Sequence, residues 1–468
     1  MNKYNKLLYN SFIFAIGNFG SKLLVFLLIP VYTFSLSTEQ LGTVDLITST
    51  ASLLLPAVTF SIFEAVLRFV MDKRIPGHEI LLNALFVVFI GMVITIVISP
   101  LLVKILPISE FLYYILLLLF TQSIYTILTQ YVRAQGMVRL YAVCGMINAL
   151  VLVLFSSIFL LVMRKGVEGY LLSFIFANIA GSVVALVAGK VKLYFHIRFI
   201  KAKLIREMLK YSIPLVPNAL MWWIIGFSDR YVINYFLGLS ANGLYSVASK
   251  IPGIMNVVNS FFFQAWQMSA IEEADSKEKS NFYSNIFHIF AIFMLIFASF
   301  LIANLKLVMS ILVAPNYYEA WKYIPYLLLG SVFSSFSSFF GTNYIVAKKT
   351  SGVLKTSVIG AMANLGLNFV FIPIIGIYGA AIGTMISFAI MWILRVLDTK
   401  KYANIRINKK ISILVFLISL QIVVAYQNIK GEYLIQIGLF LIIILVTNSE
   451  IRKMARKVFQ IYRPDGNH

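Results

Sequence analysis

The chain has 468 residues, 60% of them hydrophobic and 12% charged, with a formal net charge of +21. A soluble domain is about half apolar and a quarter charged, so this composition excludes an ordinary soluble enzyme and points to a polytopic membrane protein. The single cysteine, Cys144, excludes an internal disulfide and a cysteine-based metal cluster, and the basic balance fits loop charges that orient a membrane protein better than it fits nucleic-acid binding.

Fourteen apolar segments are candidates to cross a bilayer, which takes roughly 20 residues of helix, the last two being short. They are 11–34, 41–69, 80–102, 111–133, 139–162, 168–189, 211–237, 242–269, 282–304, 323–346, 354–373, 377–396, 411–427 and 433–448. The first lacks a small-residue cleavage site and reads as a transmembrane helix rather than a cleaved signal peptide. With the N-terminus inside, only six of the 39 Lys and Arg fall in outer loops: Lys104, Arg164, Lys165, Lys306, Lys322 and Lys430. That imbalance places both termini in the cytosol. The stretches Lys190–Lys210 and Arg395–Lys410 are the most basic of the cytosolic segments.

Internal repetition divides the chain further. LSTEQLGTVDL at 36–46 resembles LSANGLYSVAS at 239–249. Likewise NALVLVLFSSIFLLVMRKGVEG, ending at Gly169, resembles NLGLNFVFIPIIGIYG, ending at Gly379; each run opens on Asn and closes on G-(V/I)-x-G. The expected fold is all-α, with about 14 transmembrane helices. Two six-helix lobes, 1–205 and 206–400, form a parallel repeat, and 401–468 adds two helices and a basic, amphipathic tail suited to the anionic inner leaflet.

No ATP-binding loop of the G-x-x-x-x-G-K-S/T type and no H-E-x-x-H motif is present. The four histidines, His78, His196, His288 and His468, are scattered, so neither a metal nor a cofactor is expected. GIYGAAIG at 376–383 reads as helix packing through Gly379 and Gly383 rather than as a nucleotide loop.

The charges inside apolar segments are the informative feature, because each costs a few kcal/mol or more unless it faces a bundle interior or a watery cavity. In the seventh span Asn218, Trp222, Gly226, Arg230 and Asn234 recur every four residues. The eighth carries Lys250 and Asn256 on a polar face. Arg230 and Lys250 are each ten residues from Ser240 in the connecting turn, which puts them at matched depth in a hairpin. Asp229 can neutralise one of the two, leaving a positive remainder. Lys22 lies mid-membrane on a face with Ser11, Asn18 and Ser21. Asp45 lies near the outer end of the second span, and Glu64 and Arg68 have the spacing of a helical ion pair. Polar runs on the fourth span (Thr121 to Gln130) and the tenth (SSFSSFFGTN, 334–343) are candidates to line a cavity. Pro30, Pro56, Pro214, Pro217, Pro252 and Pro325 are candidate kinks.

The segment PNALMWWIIGFSDRYVINYFLG at 217–238, followed by GLYSVASKIP at 243–252, resembles the Wzx-type O-antigen and capsule repeat-unit flippases. These form the polysaccharide-transport branch of the multidrug/oligosaccharidyl-lipid/polysaccharide exporter superfamily. The shared residues are Asp229, Arg230, Gly238, Gly243, Tyr245, Lys250 and Pro252. The resemblance implies a non-enzymatic transporter in the bacterial inner membrane. It implies an undecaprenyl-pyrophosphate-linked oligosaccharide as substrate, moved to the outer leaflet for lipopolysaccharide, capsule or exopolysaccharide synthesis. A polysaccharide polymerase and chain-length machinery are the implied partners. On that reading Arg230, Lys250 and Lys22, with Asn218 and Asn256, face the diphosphate, and Asp229, Asp45 and Glu64 are candidates for coupling. The alternatives within the superfamily are a lipid II-type flippase and an ion-coupled drug exporter.

Overall fold

The computed structural model describes residues 20–105, 109–191, 200–274, 276–347, 349, 351–427 and 429–461. Ser11 and Asn18, residues 192–199 of the basic stretch with His196, and the end of the tail at 462–468 lie outside the described residues. Among the described residues the chain is helix and turn with no strand. It falls into two compact units, Met1–Val247 and Ala248–His468.

The first unit holds α1 (Gly20–Ser35), α2 (Thr38–Val58), α3 (Ile62–Asp72), α4 (Gly77–Ile105), α5 (Leu112–Ala134), α6 (Val138–Ser157), α7 (Gly166–Ala188), α8 (Ala202–Ser212) and nearly all of α9 (Val216–Ala248). The second holds α10 (Lys250–Glu272), α11 (Lys279–Ala303), α12 (Leu305–Leu312), α13 (Ile324–Val346), α14 (Ser351–Ile375), α15 (Ile377–Thr399), α16 (Lys409–Tyr426) and α17 (Glu432–Ile461). Ten helices are long and apolar enough to cross a membrane on their own, and Gly20–Ser35 and Glu432–Asn448 are shorter apolar helices. The remaining two expected spans fall on α9 and α10. The protein is therefore a multi-pass membrane protein.

Several boundaries differ from the sequence reading for local reasons. The expected span 41–69 is two helices. Pro56 cannot donate into the α2 ladder, and Phe60 and Ser61 then take left-handed φ values of 49° and 50°, which restart the chain as α3. α2 itself starts at a capping box: Ser37 Oγ accepts from Gln40 N at 3.1 Å, and Gln40 Oε1 accepts from Ser37 N at 3.0 Å. The stretch 201–210, expected as basic loop, lies largely in the amphipathic helix α8, which runs on to Ser212. Leu204 and Met208 sink into the core of the first unit, while Lys203, Arg206 and Lys210 stay exposed. Lys201 anchors its start, donating from its backbone N to Asn83 Oδ1 (2.9 Å) and from Nζ to Glu79 (2.6 Å). α17 runs unbroken from its apolar span into the basic tail as far as Ile461.

The second repeated motif has the same local form in both places. Gly166 (φ 57°) opens α7 and Gly376 (φ 64°) precedes α15. Three residues on, Gly169 and Gly379 each sit too close to the preceding helical segment for a side chain. A Cβ would fall 2.9 Å from Phe159 Cβ in the first case and 2.4 Å from the Phe371 carbonyl carbon in the second. Asn148 donates to Asn178 on α7 (3.1 Å) and Asn364 to Thr384 on α15 (3.1 Å), so each Asn ties its helix to the next.

α13 is the most enclosed span of the second unit. Ser335, Ser337, Thr342 and Asn343 are buried, beside a stack of rings that includes Phe262, Trp266, Phe287, Phe290 and Phe339. Ser335 Oγ donates back to Ser331 O at 2.8 Å, while Ser334 and Ser338 are partly exposed. Arg395, read from sequence as a cytosolic loop charge, lies within α15 at 2% exposure. Its guanidinium donates to Thr356 Oγ1, Ser337 O and Ser357 Oγ, each at 3.0 Å, and no carboxylate pairs with it among the described residues. Neutral oxygens from α13 and α14 carry the charge instead.

Two glycines of one helix pair test this packing in opposite directions. Gly379→Val on α15 drives atoms into the end of α14 and is expected to cost about 1–3 kcal/mol by overpacking. Gly366→Ala on α14, where a Cβ meets nothing within 4 Å, is expected to be neutral or to gain about 0.5–1 kcal/mol of helix propensity. Thermal unfolding of the two variants in the same detergent separates them.

Candidate functional site

The polar groups of the first unit converge where α2 meets α9. α9 is a hairpin: Gly238, with φ 84° and ψ 176°, breaks the helical path between an arm ending at Leu237 and an arm ending at Ala248. Only glycine takes that conformation without steric cost. α2 is bonded to both arms. On the second arm, Thr38 Oγ1 meets Ser240 Oγ at 2.6 Å, Asn242 Nδ2 donates to Gly42 O at 2.9 Å, and Ser246 Oγ donates to Asp45 Oδ1 at 2.7 Å. On the first arm, Tyr231 Oη meets Thr50 Oγ1 at 2.5 Å, and Trp223 Nε1 donates to Ser49 O at 2.9 Å.

Two glycines set how closely the helices approach. A Cβ on Gly42 would fall 1.9 Å from Leu239 O, and one on Gly243 would fall 1.9 Å from Thr38 O. Each glycine thus lies over the carbonyl of the residue four before the other, a contact that is close to two-fold symmetric. Both come from the first repeated motif, so the matched segments 36–46 and 239–249 pack on one another.

Arg230 sits at the centre of this seam. Its Nε is 2.8 Å from Asp45 Oδ2, an ion pair set off the hydrogen-bond axis, and its Nη1 donates to Asp229 Oδ1 at 2.9 Å and to Gly226 O at 3.0 Å. The guanidinium carbon lies 4.8 Å from the Phe227 ring centroid and 5.8 Å from that of Tyr245, a geometry that adds cation–π attraction. Tyr245 Oη donates to the second oxygen of Asp229. Exposures are 6% for Arg230, 7% for Asp45 and 3% for Asp229, so water contributes little to holding the charge.

The sequence expectation of two cations against one acid is corrected here. Asp45 joins Asp229, so within the first unit acids outnumber the buried cation. Glu64 and Arg68 form no ion pair: Glu64 is half-buried in the first turn of α3, where a helix N-terminus favours an acid, and Arg68 is exposed. Lys22 on α1 and Asn218 on α9 are exposed and outside the triad; Lys250 and Asn256 are exposed on α10 of the second unit. Sequence reasoning missed Tyr231, Tyr245, Ser246 and Trp223 as seam partners. The available signal was the repeat itself, whose two copies each place small and polar residues at helical spacing.

With this geometry in hand, the comparisons define the class. The description of the polysaccharide biosynthesis protein family matches residues 7–267, more than half of the chain, and the protein belongs to that family. An uncharacterized membrane protein of Methanocaldococcus jannaschii, MJ1068, is 28% identical over 238 residues, which is 49% of this chain and 46% of that one. The chain therefore spans about half the length of this relative. Among solved structures, an inward-facing multidrug resistance transporter of the MATE family is similar with a TM-score of 0.70 at 15% identity, over 86% of this chain and 99% of that one. The lipid II flippase MurJ in an inward closed conformation is similar with a TM-score of 0.67 at 15% identity, over 95% and 99%. The fold is that shared by these multi-pass transporters.

Removing Arg230 alone strands two buried carboxylates. Arg230→Met is expected to cost about 3–5 kcal/mol, as breaking a buried ion pair does. Adding Asp45→Asn and Asp229→Asn to Arg230→Met is expected to restore much of that loss, read as recovery of the melting temperature. Recovery no better than the single variant would show that the charge balance is not what holds the seam.

Proposed function

We propose that this protein is a flippase that carries undecaprenyl-diphosphate-linked oligosaccharide units from the inner to the outer leaflet of a bacterial cell membrane, with both termini cytosolic. The exported units serve surface polysaccharide synthesis, as O-antigen, capsule or exopolysaccharide. The observation that carries the reading is a set of cations on apolar helices in a chain of the polysaccharide biosynthesis family. Lys22 and Lys250 are exposed on their helices, and Arg230 is held by two carboxylates. A diphosphate is a strong acceptor for guanidinium and ammonium donors. In this reading Lys22 and Lys250 draw the head group in, with Asn218 and Asn256 as amide partners. Arg230 exchanges Asp45 for phosphate as the α2–α9 seam opens. The two six-helix lobes expected from the sequence, 1–205 and 206–400, rock to expose the sugars outside while the lipid tail stays in the bilayer. A polysaccharide polymerase and chain-length machinery receive the product.

A second reading, an ion-coupled exporter, is favoured by one observation: the acids of the triad outnumber its cation, and acids are what cation coupling needs. The two readings part in a deletion strain. Flipping predicts that single lipid-linked repeat units accumulate on the inner leaflet, with drug susceptibility unchanged. The exporter reading predicts the reverse. Lys22→Gln and Lys250→Gln are expected to lower export by an order of magnitude or more at normal protein level; wild-type export in both would remove them from the substrate path.

A further inference from the structure

A second candidate site lies within the second unit. A partly open cavity of about 250 Å³ lies where α11, α12, α16 and α17 meet, with Trp321 from the segment before α13 forming one side. Its walls are mostly aliphatic, but the polar groups in it are pinned. Lys306 Nζ is 2.6 Å from Glu432 Oε2, joining α12 to α17, and lies 4.3 Å from the Trp321 ring centroid. Tyr433 Oη meets Asn304 Oδ1 at 3.2 Å. Gln436 Nε2 donates to Gln421 O at 2.8 Å, and Gln421 Oε1 accepts from Ser299 Oγ at 2.8 Å. These bonds hold Gln436 at 2% exposure on the cavity wall with its Oε1 lacking a hydrogen-bond partner among the described residues. Glu432, on the same wall, gives one oxygen to Lys306 and as a carboxylate keeps accepting capacity beyond that bond, so the cavity suits a ligand that donates.

The charge pattern narrows the ligand. Lys306 and Glu432 neutralise each other, so the cavity offers a donor and an acceptor but no net charge. A free ammonium would meet Lys306, and a phosphate or carboxylate would meet Glu432. A neutral group with several hydroxyls donates to Glu432 without setting a net charge against Lys306. Its C–H faces suit the aliphatic walls and the half-exposed Tyr433 ring. The volume lies just under the roughly 300–1,000 Å³ of pockets for drug-sized ligands, which suits one sugar ring rather than a lipid tail.

We propose that this cavity binds a single pyranose unit of the exported glycan; this rests on the reading of the protein as a glycolipid flippase. On the expected topology the cavity opens on the outer face, where the head group arrives. The proposal gives a use to α16 and α17, the two helices beyond the repeats.

Saturation-transfer NMR on the full-length protein, in a detergent without a sugar head group, tests it with methyl α-glucopyranoside and methyl N-acetylglucosaminide as probes. Glycerophosphoethanolamine serves as the lipid head-group control. Transfer to the ring protons of at least one glycoside is expected. Tyr433→Ala, at a cavity-lining residue that is half-exposed, should weaken binding roughly fivefold through loss of the ring face. Lys306→Gln with Glu432→Gln, which keeps the cavity neutral, provides a second variant should Tyr433→Ala misfold, and it too should weaken binding. No transfer to either glycoside, equal transfer in the variants, or transfer to glycerophosphoethanolamine alone would each overturn the proposal. Glycoside binding lost in the variants while repeat-unit export continues supports the cavity. Export absent in wild type would sink the flippase reading without touching the binding result.

Discussion

A guanidinium cannot enter an apolar helix unless other groups take up its charge, and Arg230 draws its compensation from two directions. Asp229 is its neighbour in sequence and costs the fold nothing to bring near. Asp45 comes from another helix, and its side chain is short. For a carboxylate on so short a stem to reach Arg230 Nε at 2.8 Å, α2 and α9 must lie almost backbone to backbone. Glycine at 42 and 243 permits that approach. The hydrogen bonds along the seam, from Thr38–Ser240 at one end to Trp223–Ser49 at the other, then follow from a spacing that the ion pair demands.

The second unit meets the same difficulty by other means. Arg395 is buried more deeply than Arg230, yet its partners are two hydroxyls and a backbone carbonyl. Neutral dipoles spread the charge over α13 and α14 and lock three helices without bringing in a second ion. Such an arrangement suits a permanent joint. An ion pair between separate helices can be exchanged for another anion, whereas three bonds to packed oxygens leave no vacancy to fill. The two arginines therefore mark two kinds of helix contact within one chain.

Much of the architecture was legible because it is written locally. Apolar length locates the helices, and the G-(V/I)-x-G motifs at Gly169 and Gly379 mark where each tight helix pair begins. The capping box at Ser37 and the break at Gly238 are equally local. What could not be read was rotation and register between helices. Depth alone placed Lys250 beside Arg230, while the partner that the fold supplies is Asp45, 185 positions away in the chain. Glu64 and Arg68 keep their four-residue spacing on α3, but spacing does not fix side-chain direction, and Arg68 stays exposed with no ion pair to Glu64. The break at Phe60 and Ser61 puts Glu64 at a new helix N-terminus. In SSFSSFFGTN the polarity was visible, but not whether its hydroxyls turn to a cavity or back to their own helix, as Ser335 does with Ser331 O.

The crossing of Gly42 and Gly243 has one more consequence. A contact between bare backbones has no rotamers to freeze, so making or losing it changes side-chain entropy hardly at all. Its attraction rests on dispersion and on C–H groups facing carbonyl oxygens, terms that fade within about an ångström of separation. Such a joint has a steep, narrow well: it is either fully engaged or contributes nothing. Neighbouring polar bonds would grade the approach of the two helices, while the glycines act as the detent that defines the engaged position.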